Sequence, residues 1–538
     1  MRKPLAIALA AVLLGGSANA GGSAAGRKNA FTIPHTLRIG DTQDFDSLNP
    51  HLATAVTLNS LSQLTMAYLV RYGSDNRAVP ELATVVPTQA NGGISKDGRS
   101  ITWHLRHGVT WSDGVPFDAD DVVFSTQAVN NPANNEVGRD GWDLITKIDE
   151  PDKYTVVFHL KQSYSGYLPT FFGSAGANPC ILPKHILGDL PSFNNAPYNT
   201  KPVGIGPFRY VEWVRADHVT LEANPNYWRG KPKLEKVIYK IIPDRNTLLT
   251  QLQTGEVDLW ANVPPAFADR AMALKTVAHV RAPGALYQHL DFNTTHPALR
   301  ERAVRAALRL ALDRPLMLQK INHGIGILQE SPISPALPLA TTLPFVGYDL
   351  AKANGVLDRA GWKRGADGIR AKNGVRLSLD WASVSGTPDA DTRIELIRSM
   401  WENVGVAFDL KHYNVALFFQ LRGGIVYDGK FDVTAFGWQM TPDADLNPYN
   451  SCTLIPPAGQ NVSRLCDARL EKLLQQQKVT YDEQKRKAIA AQALTIIDEQ
   501  VPYVVLFIQE VVHVYNSDLA GWHPNSATPF DDIMNVDI

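Results

Sequence analysis

Three pairs of carboxylates lie close enough along the chain to share a proton or a metal ion: Asp443 with Asp445, Asp120 with Asp121, and Asp389 with Asp391. Acid pairs that cleave glycosidic bonds flank the bond from two sides. Carboxylates this close in sequence more often cap helices or sit in solvated loops, so they argue weakly for acid–base chemistry. Asp41, Asp44 and Asp46 resemble a calcium loop, but they lack its turn glycine and its distal bidentate acid. The 14 histidines include no i, i+4 pair. The chain has no G-x-S-x-G elbow, H-E-x-x-H helix, Walker loop or G-x-G-x-x-G turn. Three cysteines so far apart make no metal cage. No catalytic residue, metal or cofactor is expected; a secreted hydrolase is the distant alternative.

The acids at 443 and 445 stand in the segment GWQMTPDADL, 437–446, after an alternating run that reads as a buried strand. A strand ending in a tryptophan and opening into an acidic, Pro-containing loop leaves four readings open: a catalytic acid pair, a metal loop, a ligand clamp or only a turn. Arg302, Arg305 and Arg309 form a basic helical stripe. It is read as a solvated face, with a partner-docking surface as the sharper alternative. Cys452 and Cys466 flank a Pro/Gly loop and are expected to form a disulfide, two free thiols being the alternative. Cys180 is then a buried thiol.

The elements that must position these residues can be read in outline. A chain of 538 residues exceeds one ordinary core, so two or three domains are expected. The formal net charge of -1 suggests neither nucleic acid nor an anionic membrane as partner. Arg2 and Lys3, an apolar stretch over 5–14 and Ala18-Asn19-Ala20 read as a signal peptide cleaved after Ala20. No cysteine lies there for a lipid anchor, which predicts a freely soluble periplasmic protein. Residues 21–30 read as a flexible leader. Asp97-Gly98 and Asp113-Gly114 mark hairpin turns, and Asp118 caps a helix with Asp120 and Asp121 in its first turn. Helices are expected over 55–68, 244–254, 299–312, 389–404, 465–478 and 481–499. Gly255 closes the second of these, and Thr480 with Glu483 would form a capping box for the last. Strands at RLSLDWAS and VAFDLKHY around the 389–404 helix predict a βαβ unit.

Several blocks together resemble one family. They include TLRIGDTQDFDSLNPH at 36–51, ITWHLRHGVTWSDGVPFDADDVVFS at 101–125, PVGIGPFRYVEW at 202–213, NPNYWRGKPKLEKVIYKII at 224–242 and NTTHPALRERAVRAALRLALDR at 293–314. From about 36 to 523 the chain resembles the extracytoplasmic solute-binding proteins of family 5, the peptide- and nickel-type receptors of ABC importers. The resemblance implies an α/β fold of two lobes joined by a hinge, with an inserted α+β domain. Lobe I would comprise 31–69, 196–286 and 509–538, the inserted domain 70–195, and lobe II 287–508, with crossovers near Tyr287 and Gln509. It implies a monomeric receptor that captures a peptide or peptide-like solute and delivers it to permease subunits served by cytoplasmic ATPases. A nickel chelate, an oligosaccharide or an opine-like solute are the alternatives.

In the peptide-binding members that the chain resembles, an aspartate three residues beyond the Trp pairs with the ligand ammonium. Here that position is Thr441. The expected ligand contacts are therefore Trp438 as a wall, Asp443 for a cationic group, and Gln439 and Thr441 for neutral hydrogen bonds. Asn49 and His51 would face the cleft from the first loop, and Tyr287 and Asn293 would reach the ligand from the crossover. The bland readings are a core Trp, an exposed loop acid and turn chemistry.

Overall fold

Two long strands, Val277–Phe292 and Tyr503–Asn516, run antiparallel side by side through the middle of the molecule. The computed structural model describes residues 29–52, 56–139, 141–175, 179–526 and 528–538. The expected signal peptide and residues 21–28 of the leader lie outside the described residues. The second strand is a nearly unbroken apolar run, YVVLFIQEVVHVYN, as befits a strand covered on both faces.

The two strands occupy the fourth and fifth places in a ten-stranded sheet. On one side lie Val433–Gln439, Ser378–Val384 and Ala407–Tyr413. On the other lie Leu259–Trp260, Thr36–Asp41, Lys236–Ile241, His218–Ala223 and Phe208–Val214. The central ladder is interrupted between Pro283 and Tyr287. Proline has no N–H to give to a ladder. At Gly284 an added Cβ would stand 2.7 Å from the Gln509 carbonyl. Each half of the sheet has its own core, one around Trp381 and Trp401 and one around Leu37 and Tyr239. This is a two-lobed α/β architecture whose lobes share two strands pinched at one point.

In one lobe, Ser378–Val384 and Ala407–Tyr413 are parallel and joined by the helix Pro388–Glu402. Ile394, Ile397, Met400 and Trp401 bury one face of that helix at 3–4 residue spacing. A third module packs the antiparallel strands Ser100–His104, Ile145–Asp152 and Thr155–Leu160 and the helix Ala119–Asn130 around Trp103, Trp111 and Phe158. Asp118 caps that helix through a capping box. Asp121 goes beyond a favourable place on the dipole. It is buried, accepts from the Trp111 indole at 3.1 Å and from the Lys184 N–H at 2.9 Å, and ties helix to loop.

Two local expectations are corrected. Thr480 does not cap the helix Glu483–Gln500. Asp482 does, accepting from the Lys485 N–H, while the Thr480 hydroxyl donates to the Gln476 carbonyl of the preceding helix. An acid one residue before the helix reaches the free N–H groups directly, so the threonine is not needed. The arginine stripe is also not a solvated face. Arg305 is 1 % exposed and donates to the carbonyls of Leu299, Arg300, Gln500 and Val501. Arg302 reaches the Glu499 carbonyl and Arg309 the Asp498 carboxylate. The stripe grips the carbonyl-rich C-terminus of the Glu483–Gln500 helix, where the dipole favours cations.

The tip of the helical hairpin Ala468–Val479 and Glu483–Gln500 reaches across to the third module. The Tyr481 hydroxyl donates to the Gly98 carbonyl at 3.0 Å and accepts from the Tyr164 N–H at 3.1 Å. The Ser165 N–H and hydroxyl donate to the carbonyls of Lys478 and Gln477 at 2.9 and 3.0 Å. Arg77 pairs with Glu483 at 2.6 Å.

Candidate functional site

The pinch in the central ladder opens into a cavity of about 280 Å³. Its floor is made by Gly284, Ala285 and Leu286 on the first central strand and by Gln509 and Val511 on the second. Gln439, the last residue of the Val433–Gln439 strand, closes one side. Asn59, Ser60, Gln63 and Asn262 come from the opposite lobe, with His513, Asn525 and Ser526. Both lobes and both shared strands thus contribute. A rotation at the pinch would open or shut the cavity.

The polar lining is made of neutral groups. Its one titratable member, His513, is 1 % exposed, and burial pushes its imidazolium pKa down to about 4. Its Nδ1 accepts from the Asn262 N–H at 3.2 Å, so the neutral ring carries its proton on Nε2. Amides and the hydroxyls of Ser60 and Ser526 serve a ligand that offers its own donors and acceptors, and buried polar partners make such recognition selective.

Strand alternation separates Trp438 from Gln439. Gln439 points to the cavity. Trp438 points to the other face of the sheet, where its ring stacks near His289 (6.2 Å, 12°) and meets Phe436 and Tyr449 at 5.2 and 5.3 Å. This half-buried aromatic wall has Tyr287 at its base, buried and opposite Trp438 in register. The segment after Gln439 is bound to the pinch, because the Met440 N–H donates to the Ala285 carbonyl at 3.0 Å. Thr441 is exposed and donates to one oxygen of Asp443 at 2.6 Å. Arg486 takes the other oxygen at 3.3 Å. Asp445 caps the turn at Asn447, and burial, then the neighbouring Asp443, pushes its pKa up. Both oxygens of Asp443 are engaged within the protein.

The expectation that Asn49 and His51 face the cleft is corrected. Both are fully buried. Asn49 bonds to Asn199, and His51 lies between Glu136 (2.5 Å) and the Cys180 carbonyl (2.9 Å). Burial opposes the imidazolium charge, but Glu136 and Cys180 outweigh it and raise the pKa to about 10. A polar loop that follows a strand looks exposed in sequence; here the loop folds under the third module. Asn293 is also internal, donating to the carbonyls of Gly429 and Phe431. Cys452 and Cys466 form a disulfide with Cα atoms 4.9 Å apart, and Cys180 is a buried free thiol. The lining residues missed in the sequence are scattered neutral side chains on five segments, and nothing in their spacing marks them.

The sequence model described as "Bacterial extracellular solute-binding proteins, family 5 Middle" matches residues 77–455. The chain is 26% identical over 509 residues to the oligopeptide-binding protein AppA of Bacillus subtilis, covering 93% of this chain and 90% of that protein. The structure of that AppA in complex with a nonapeptide superposes with a TM-score of 0.75 at 24% identity, over 93% of this chain and 98% of the other. NikZ from Campylobacter jejuni, in complex with Ni(L-His), superposes with a TM-score of 0.74 at 24% identity, over 94% and 100%. Among the described residues no helix is long and apolar enough to cross a membrane.

Proposed function

The chain belongs to the bacterial extracellular solute-binding proteins of family 5, and from that premise we propose that it is the substrate-binding component of an ABC importer. It captures a peptide or peptide-like solute between its lobes and hands it to permease subunits coupled to cytoplasmic ATPases. The observation that carries this reading is the cavity at the pinch, lined from both lobes and both shared strands. A ligand that touches both lobes favours the shut state by as much as it binds that state better. The protein acts as an exported periplasmic monomer, released by cleavage after Ala20. Gln439 contributes a neutral hydrogen bond, while Trp438, on the opposite face of the sheet, backs the strand that carries it.

A thermal-shift screen of the purified mature chain against di- to octapeptides, neutral oligosaccharides and nickel chelates tests this reading. Ligand at 100 times its Kd adds about 2.7 kcal/mol to stability. The expected result is a rise in Tm with short peptides and stoichiometric retention of intact peptide. Turnover of the peptide, seen by mass spectrometry, overturns it, as does a Tm that no peptide raises.

A further inference from the structure

The face of the sheet that floors the cavity continues one pleat deeper into the lobe that carries Gln439. Leu286, Gln439 and Gln509 line the cavity. Two residues along each strand, on the same face, come Gln288, Gly437 and Phe507, which sit opposite one another in register. Gly437 lets its neighbours close over it: a Cβ at this position would lie 2.9 Å from the Gln288 amide nitrogen and 3.0 Å from Leu286. The Gln288 amide is half-buried and makes no hydrogen bond among the described residues.

Arg393, from the second turn of the helix Pro388–Glu402, lies against the Phe507 end of this row. Its guanidinium carbon is 5.8 Å from the centroid of the Phe507 ring. Its Nε is shut off from solvent and has no hydrogen-bond partner. Among the described residues the guanidinium makes no hydrogen bond and no ion pair. Asp389, one helical turn earlier, acts on it through space from beyond pairing distance. Other arginines of this lobe each have a partner for part of the guanidinium. Arg305 grips a helix end, Arg314 pairs with Glu330, and Arg370 pairs with Asp358 at 2.5 Å. The Arg393 side chain is only partly buried, but its Nε is enclosed, and desolvation lowers its pKa against the opposing charge of Asp389. The unmet need is for a planar oxyanion, which a guanidinium binds through paired N–H donors.

Resting on the receptor reading above, we propose that Arg393 is the anion anchor of the cleft, and that the ligand places a carboxylate beside the Gln288–Gly437–Phe507 row. The rest of the ligand then extends over the neutral lining at Gln439 and Gln509. No free acid lines that cavity, and Asp443 is held by Arg486 and Thr441. Recognition therefore reads the carboxylate and is indifferent to an ammonium group.

Four pools test this by retention on the protein after desalting, read by mass spectrometry. They are tripeptides with free termini, the same peptides amidated at the C-terminus, the same peptides N-acetylated, and short hydroxy acids and sugar acids. Wild type should retain species with a free carboxylate, lose on the order of tenfold or more on amidation, and change little on acetylation. Arg393→Met and Arg393→Gln should each lose retention to the same degree while their urea unfolding midpoints hold. Retention of the acid pool but not the tripeptides identifies the carboxylate donor as a non-peptide acid, which supports the anchor and overturns the peptide reading. Equal retention of amidated and free peptides, or undiminished retention by both variants, overturns the anchor and leaves the receptor reading standing. Wild type that retains nothing overturns both.

Discussion

Arg486 donates to both the carboxylate and the main-chain carbonyl of Asp443, at 3.3 and 3.2 Å, and each of the two side chains is only 10% exposed. The pair fastens the loop after Gln439 to the helix Glu483–Gln500, so the acid that sequence offers to a ligand serves the scaffold. Asp443→Asn should lower stability by about 1–3 kcal/mol, the scale of a charged hydrogen bond left unmade. Adding Arg486→Met should recover part of the loss, because a lone buried charge costs more than a missing pair. Urea unfolding of the two single variants and the double variant measures this. A stable Asp443→Asn that binds amine-bearing peptides tenfold more weakly would return the acid to the site.

His51 sets the alkaline side of the stability profile. Its folded pKa of about 10 lies above the ordinary value of 6.5, so the folded state holds the proton more tightly. The stability it contributes is fully present below about pH 6.5 and is lost as pH rises through about 10. His513 acts with the opposite sign. Its pKa of about 4 makes its contribution present above about pH 6.5 and lost as pH falls through about 4. Chemical denaturation of wild type at pH 7 and pH 9.5 should show a decline that His51→Gln lacks. Equal declines in both would show that the Glu136 pair does not hold the proton.

Tyr481 joins the helical hairpin of one lobe to the third module. Removing its hydroxyl touches no cavity-lining group. Tyr481→Phe should therefore weaken ligand binding by roughly 2–10-fold, from about 0.5–1.5 kcal/mol lost per hydrogen bond in the shut state. Small-angle scattering of the unliganded variant should show a larger radius of gyration than wild type. Affinity and radius both unchanged would mean that the contact does not bias closure.

The Cys452–Cys466 bridge closes a loop with a sequence separation of 14. Loops of about 15 residues gain roughly 3 kcal/mol by the chain-entropy estimate. The double variant Cys452→Ser, Cys466→Ser should show a lower Tm, and reductant should lower the Tm of wild type but not that of the variant. A wild-type Tm indifferent to reductant would show that the bridge adds no stability.

The class of this protein and much of its local structure were legible in the order of its residues. Caps, turn glycines and periodicities depend on neighbours within a few residues, so the Asp118 cap, the Gly255 helix end and the βαβ unit around Pro388–Glu402 could be read directly. The family blocks added the two lobes. Tertiary structure alone decided who faces whom. His51 and Asn49 turn inward because a module inserted later in the chain covers their loop. Arg305 finds its carbonyls nearly 200 residues away, so its stripe reads as surface until the helix end arrives. Trp438 and Gln439 are adjacent, yet the pleat sends one to an aromatic wall and the other to the cavity. The cavity lining is assembled from distant segments of neutral side chains, and Arg393 stands out because its guanidinium has no hydrogen bond or ion pair among the described residues. Partner choice is a property of the packed chain, since a charge or an amide is spent or free according to what folding brings beside it.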